Sequence, residues 1–275
     1  MTAPFGRRLC EVVGNRPSGG YRLFSLLDTE GPAPRPGQFY MLAAERDWGA
    51  GGGRPYLPRA FSVAIAEPVE GGTRLDFLAE AIGPGTERLC TLEEGERAWV
   101  NGPLGRSFSA PREVSAAAAG AVLVGGGIGV APLAILRREL TRAGVPVRAL
   151  LGFRDRAHSG GLDDLFPCSE VRLASDDGHV GHRGYVTDLL GVLLEGDDPG
   201  GAVVYSCGPP AMLEAVRAMC EARGAACELA METPMACGYG ACFGCAVPLR
   251  EGGYMRLCVD GPIVNGGEIA AVPDA

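Results

Sequence analysis

The sequence predicts a multi-domain β plus α/β fold: an antiparallel β-barrel, a parallel-sheet α/β domain and a small cysteine-rich tail. Three observations carry that prediction. Over the first hundred residues, short apolar runs are punctuated by turn residues, as in antiparallel barrels. Beyond about residue 112, apolar strands alternate with helix-like stretches, which points to a parallel sheet. Four of the ten cysteines crowd into the last forty residues. A length of 275 residues suits about two domains, or three if one is small.

In chain order, residues 21–27 alternate partly in period two, residues 37–42 are apolar and aromatic, and short strands are expected at 61–65 and 75–78. Residues 50–53, bounded by Trp48 and Pro55, read as a Gly-rich surface insertion. Composition changes after Asn101-Gly102-Pro103-Leu104-Gly105, and residues 107–119 are rich in Ser, Ala and Pro. Strands are then expected at 121–124, 147–152, 171–174 and 203–206, and helices at 132–143, 185–194 and 210–223. The expected boundaries lie near Arg112 and Glu228, giving units 1–112, 113–228 and 229–275. The last is too small to hold together by apolar burial alone, so it needs a metal, a disulfide or a docking surface. No internal repeat is visible.

A hydrophobic content of 47% against 21% charge excludes a disordered chain. All 25 basic residues are Arg, which rules out lysine catalysis, and the net charge of −8 offers no basic excess for nucleic acid. Arg7 and Arg8 are followed by no apolar run, so no secretory signal is read there. Residues 114–136 are uncharged, but Gly120, Gly125, Gly126, Gly127, Gly129 and Pro132 fit a strand, a turn and a helix start rather than a membrane span. Reduced thiols and a cytoplasmic setting are expected. Cys10, Cys90, Cys168, Cys207, Cys220 and Cys227 read as small buried hydrophobes. His158, His179 and His182, in polar segments, read as surface residues without a metal role.

Cys237-x4-Cys242-x2-Cys245, followed by Cys258, has the plant-type spacing of a [2Fe–2S] cluster. Gly238, Gly240 and Gly244 would let the loop fold tightly and bring backbone N–H groups toward sulfur. A four-thiolate zinc site and disulfides are the rival readings, although zinc more often uses two short paired hooks.

Gly125-Gly126-Gly127-Ile128-Gly129-Val130-Ala131-Pro132 follows an apolar strand and opens a helix, where free N–H groups favour a pyrophosphate. Its bland alternative is a tight turn without ligand. Cys207-Gly208-Pro209-Pro210 is a second strand-to-helix turn, expected at the carboxyl edge of the same sheet, where α/β proteins bind ligands. Arg59-Ala60-Phe61-Ser62 and Gly83-Pro84-Gly85-Thr86 are, in isolation, an ordinary half-buried strand and a plain turn.

In combination these segments resemble the ferredoxin reductase-like flavoproteins. Arg59-x-Phe61-Ser62 is similar to that family's flavin-binding strand, Gly127-x-Gly129-x-x-Pro132 to its nicotinamide-nucleotide turn, and Cys207-Gly208-Pro209 to its motif near the nicotinamide. With the tail Met235-Ala236-Cys237-Gly238-Tyr239-Gly240-Ala241-Cys242-Phe243-Gly244-Cys245 and Cys258-Val259-Asp260-Gly261-Pro262, the resemblance narrows to the electron-transfer subunits of dihydroorotate dehydrogenase B. Ala60 stands where that subfamily often has Pro.

The resemblance implies FAD on the barrel, NAD(H) on the α/β domain and a [2Fe–2S] cluster in the tail. Arg59 should face the flavin pyrophosphate and Ser62 the flavin ring. Leu78, Ala79 and Glu80 should flank the flavin largely through backbone, and Gly85 and Thr86 should approach its phosphates. Cys237, Cys242, Cys245 and Cys258 should hold the cluster. Asp176 and Asp177, after an apolar strand, would accept from a ribose hydroxyl and repel a 2′-phosphate, although Arg154 or Arg183 could favour phosphate. The implied role is an NAD-linked oxidoreductase subunit exchanging electrons with the FMN of a dihydroorotate dehydrogenase catalytic subunit, within a heterotetramer of pyrimidine biosynthesis. No general acid or base is expected, because the cofactors carry the chemistry. The alternatives are a small subunit of a sulfide dehydrogenase or of an NADH-dependent ferredoxin:NADP reductase, and a zinc-stabilised, non-enzymatic binding module.

Overall fold

A computed structural model describes residues 6–49, 55–162, 165–167, 171–196 and 201–273. Strands β1 (Arg8–Ser18), β2 (Tyr21–Asp28), β3 (Phe39–Ala44), β4 (Arg59–Val69), β5 (Gly72–Ala79) and β6 (Arg97–Leu104) close into a barrel in the order β1-β2-β5-β4-β3-β6, with every neighbour antiparallel. Two of these strands escape the sequence pattern. In β1, exposed Glu11 and Arg16 and the proline Pro17 dilute the buried Cys10 and Val12; in β6, Gly102 and Pro103 read as a turn although burial alternates along the strand. Phe24 stacks on Phe77 at 5.4 Å and meets Phe61 edge-on at 5.8 Å, filling the barrel with aromatic rings. The segment expected as a plain turn at Gly83 opens helix α1 (Pro84–Cys90), where the Thr86 hydroxyl accepts from the Ile82 and Gly83 N–H groups.

After the short helix α2 (Pro111–Val114), the chain builds a seven-stranded sheet from β7 (Gly120–Gly126), β8 (Val147–Phe153), β9 (Val171–Ser175), β10 (His182–Arg183), β11 (Ala202–Cys207), β12 (Cys227–Ala230) and a late strand, β15 (Ile263–Asn265). Its order is β10-β9-β8-β7-β11-β12-β15, parallel throughout except for β15. Helix α3 (Val130–Arg142) buries Ala131 and Ala134 in one core with Ala64 and Ile65 of the barrel, so barrel and sheet share apolar packing. Helices α5 (Val186–Leu194) and α6 (Pro210–Arg223) bury Leu190, Leu213 and Val216 in a second core. Pro210 at the start of α6 and Gly224 at φ 65° after its end mark that helix at both termini. Between β8 and β9 lies the short helix α4 (Arg156–Ser159).

Residues 114–136 run from the end of α2 through β7 and a glycine turn into α3, and no helix of the described residues is long and apolar enough to cross a membrane. The tail adds a hairpin of β13 (Ala246–Pro248) and β14 (Tyr254–Arg256). The boundary expected near Glu228 falls inside β12, and β15 returns from the tail to pair with that strand. The tail is therefore anchored by backbone pairing as well as by side-chain packing. Cys10, Cys90, Cys207, Cys220 and Cys227 are buried as expected, while Cys168 and the insertion at 50–53 lie outside the described residues.

Arg8 and Asp28 join β1 to β2 through a buried two-pronged ion pair, with Arg8 Nε donating to Asp28 Oδ1 at 2.7 Å. Burial alone would raise the Asp28 pKa, but hydrogen bonds from Arg8 and from the Gly31 and Glu30 N–H groups outweigh it and hold the carboxyl below its usual range. Asp28→Ala leaves a buried guanidinium without its partner and is expected to cost about 3 kcal/mol in denaturant unfolding at pH 7. Because the folded pKa is depressed, the carboxylate's contribution is present above the unfolded value of about 3.9 and fades as pH falls through the lower folded value. The gap between wild type and variant should therefore close below about pH 4.

Candidate functional site

Two adjoining cavities lie where the barrel meets the parallel sheet. The first, of 260 Å³, takes walls from β4 (Arg59, Ser62), the end of β5 (Leu78), α3 (Pro132) and the tail (Met235). The second, of 690 Å³, opens at the carboxyl ends of the parallel strands, between the two glycine turns. Glu80, Ile128 and Glu232 border both.

Arg59, Ala60, Phe61, Ser62, Leu78, Glu80 and Thr86 all line the first cavity. Arg59 donates to the Leu57 carbonyl at 2.6 Å, and its guanidinium lies 5.8 Å from the Trp48 ring centre. Gly85 packs directly against the Arg59 guanidinium, with Nε 2.7 Å from where a Cβ would stand. The Ala79 side chain is fully buried in the barrel core, so only its backbone is available to the cavity, in keeping with the expected backbone role. The Glu80 side chain leaves the barrel to pair with Arg154 at 2.8 Å.

Gly127, Gly129, Asp176, Gly208 and Pro209 line the second cavity. Register explains the convergence. Gly125 sits beside Cys207 across β7 and β11, so the two turns leave the sheet side by side. A Cβ on Gly129 would fall 2.5 Å from the Cys207 carbonyl oxygen, and one on Gly126 would fall 2.6 Å from Met212 Sδ. Cys207 itself lies behind the turn, 1% exposed, and burial pushes its thiol pKa up. Pro132, the third residue of α3, lines the first cavity rather than the second. Asp177 turns toward His179, whose N–H it accepts at 3.0 Å, leaving Asp176 at the cavity wall.

In the tail, the four cysteines of the spacing motif form two pairs: Cys237 beside Cys242, and Cys245 3.2 Å from Cys258. Among the described residues, no three potential metal-ligating side chains close on one point. Gly238 (φ 77°) and Gly240 (φ 83°) take left-handed backbone, as the tight loop requires, and Gly238 packs directly on Met41 of β3. Gly244 does not; Phe243 carries the positive φ, 58°, instead. Burial would raise the Cys237 pKa, but N–H groups of Cys242, Tyr239 and Ala241 converge on its sulfur and lower it to about 6. For Cys258, burial and the neighbouring Cys245 push the thiol up to about 12. Four thiols with backbone donors directed at sulfur suit thiolate ligation of an iron–sulfur cluster.

Two features of the site, Glu232 and Thr233, have no counterpart in the expected residues, and two more, Arg154 and His158, take places that the sequence left open or put at the surface. Glu232 lies exposed where the two cavities meet and borders both. Thr233 Oγ is buried at the first cavity's wall without a hydrogen-bond partner, an orphan that a polar cofactor edge would satisfy. Arg154 lines the second cavity. His158, expected at the surface, has a side chain only 14% exposed and meets the Tyr21 ring edge-on at 5.3 Å. The sole sequence signal for Glu232 is an acid within the short link between β12 and the first cysteine, while Thr233 gives none.

Residues 232–270 match the family model for the iron–sulfur cluster binding domain of dihydroorotate dehydrogenase B. The chain is 38% identical over 240 residues to the dihydroorotate dehydrogenase B (NAD(+)) electron transfer subunit of Bacillus caldolyticus, covering 86% of each chain. Its identity to the corresponding subunit of Clostridium acetobutylicum is 36% over 235 residues, again with 86% of each chain covered. Among solved structures, that of an NADH-dependent reduced ferredoxin-NADP oxidoreductase superposes with a TM-score of 0.80 at 24% identity, over 97% of this chain and 91% of the other. A ferredoxin reductase of carbazole 1,9a-dioxygenase gives 0.66 at 25% identity, over 80% and 66%. The joined cavities, the four-cysteine loop and these likenesses agree, and the chain belongs to the family of dihydroorotate dehydrogenase B electron-transfer subunits.

Proposed function

We propose that this subunit passes electrons between NAD(H) and the FMN of a dihydroorotate dehydrogenase catalytic subunit in pyrimidine biosynthesis. The observation that carries this reading is the path of one short segment. Met231 lines the first cavity, Glu232 borders both cavities, Met235 lines the first again, and Cys237 enters the cysteine loop. Two residues span at most ~7 Å, so the loop begins beside the first cavity. When bound, NAD(H) supplies hydride, FAD converts between electron pairs and single electrons, and the [2Fe–2S] cluster carries one electron at a time.

In this reading Arg59 and the Gly85–Thr86 turn hold the flavin phosphates, while Ser62, Leu78 and Thr233 meet the ring. Gly127, Gly129, Gly208 and Pro209 shape the nucleotide site, with Cys207 supporting its turn from behind. Asp176 accepts from the adenosine ribose and favours NADH over NADPH. Cys237, Cys242, Cys245 and Cys258 ligate the cluster. Residues 1–112, 113–228 and 229–275 then form the flavin, nucleotide and cluster units. Glu232 stands where the two cavities join, its side chain exposed to both, in reach of hydrogen-bonding a bound cofactor there.

The cluster loop also suggests how the partner binds. Tyr239, Phe243 and Tyr254 are large and exposed, and Cys242 is exposed with them. Monomeric surfaces rarely gather such residues unless they meet a partner. We assign this face to the catalytic subunit, within a heterotetramer of two flavoprotein pairs.

The test is a reconstituted assay in which dihydroorotate-dependent NAD⁺ reduction requires both subunits. Light scattering should give the mass of a heterotetramer; undiminished turnover without this chain, or no mixed complex, would refute the reading. Cys242→Ser should strip iron and the cluster's visible absorbance while the flavin stays bound, and stoichiometric zinc in the wild type would contradict the cluster assignment. Glu232→Ala should slow flavin reduction by NADH about tenfold through loss of one hydrogen bond, and Glu232→Gln should restore most of it in stopped-flow traces.

A further inference from the structure

We propose that Arg154 neutralises the diphosphate of the bound dinucleotide and that Glu80 occupies its guanidinium until the ligand displaces it. This rests on the dinucleotide occupying the larger cavity. The first argument is charge. Among the described residues that line that cavity, three are carboxylic acids, Glu80, Asp176 and Glu232, one is an arginine, Arg154, and one is His158 beside it. A ligand carrying two phosphate charges meets an acidic wall, so its counter-charge must come from Arg154 together with the glycine turn.

The second argument is position. Gly152 pairs with Gly126, and Phe153 pairs with Ser175. Arg154 therefore leaves β8 between the glycine turn on one side and Asp176 on the other. A dinucleotide placed with its phosphates at the turn and its adenosine ribose at Asp176 passes directly over it.

The third argument is how the side chain is held. Arg154 Nη2 donates to Glu80 Oε1 at 2.8 Å, and Nε lies 3.6 Å from Asp155 Oδ2. His158 touches the guanidinium directly, its Nδ1 3.2 Å from Arg154 Nε and its Nε2 against Arg154 Nη2, and it also reaches Asp155 Oδ1 at 2.7 Å and Glu80 Oε1 at 3.5 Å. The guanidinium is nonetheless 60% exposed. An ion pair so exposed contributes little, whereas a guanidinium fork on phosphate is a strong, oriented contact, so exchanging Glu80 for phosphate is favourable. Glu80 also borders the flavin cavity, which makes this pair a tie between barrel and nucleotide domain.

The test is equilibrium binding of NADH and of ADP-ribose to the flavin- and cluster-loaded protein. Arg154→Met should raise Kd about tenfold for both ligands, because both carry the diphosphate, while the flavin-reduction rate at saturating NADH falls less than twofold. Arg154→Lys should lose about threefold, and it carries the test if the methionine variant fails to fold. Glu80→Gln should tighten both ligands two- to threefold by releasing the guanidinium. An Arg154→Met protein with both Kd values within twofold of wild type would overturn the proposal. So would a loss confined to NADPH, which would place Arg154 at the 2′-phosphate. If the wild type binds NADH but ADP-ribose does not compete, the reading of the cavity fails instead.

Discussion

Everything in this molecule depends on adjacency enforced by one strand pairing. Strand β12 ends at Ala230, and β15 binds back onto it antiparallel, with Leu229 opposite Val264 and Ala230 opposite Ile263. That pairing closes the intervening chain, the cysteine loop included, into a unit whose two ends are fixed at one sheet edge. Within it, residues 231–235 run along the cavities and Gly238 rests on Met41 of the barrel. A tail of this size cannot bury enough apolar surface to fold alone. Here it uses the edges of two larger units, so its position relative to the cavities is set by their cores.

Those cores are continuous across the units. Ala64 and Ile65 of the barrel share packing with Ala131 and Ala134 of α3, and Phe39, Met41 and Leu104 share packing with Cys245, Val247 and Leu257 of the tail. Polar ties accompany them. Arg138 of α3 pairs with Glu67 of β4, and Glu228 accepts from the Ser109 N–H at 2.9 Å and hydroxyl at 2.7 Å in the linker between barrel and sheet. Burial raises the Glu228 pKa against those donors, the signature of a carboxyl committed to an interior contact. Redox sites held by such packing keep their mutual placement, which is the protein's contribution when cofactors carry the chemistry.

The sequence was legible where one residue type has one physical reason to be there. The glycine turn at Gly127 and Gly129 and the run of α6 from Pro210 to Arg223 each follow from local rules and lie where those rules place them. Two strands were hidden because their local chemistry argues otherwise: β1 by its polar outer face, and β6 by a Gly-Pro that is a turn signal in isolation. The site's less visible members share a different cause. Glu232 and Thr233 matter through which element they face, and that is fixed by long-range register rather than by neighbours in sequence; the same register decides that Arg154, and not Arg183, lines the larger cavity. His158 is the same case in reverse: a polar local context suggested solvent, but α4 packs against the first barrel hairpin, with the Gly20 N–H donating to the Ala157 carbonyl at 2.7 Å.

The most direct test of the central claim, that the two cavities and the cysteine loop form one connected path, is an anaerobic titration of the isolated, fully loaded subunit with NADH. Flavin and iron–sulfur absorbance would be followed together. The account predicts that both bleach in the same titration, in the absence of any partner. Bleaching of the flavin alone, with the cluster present and still oxidised, would contradict it.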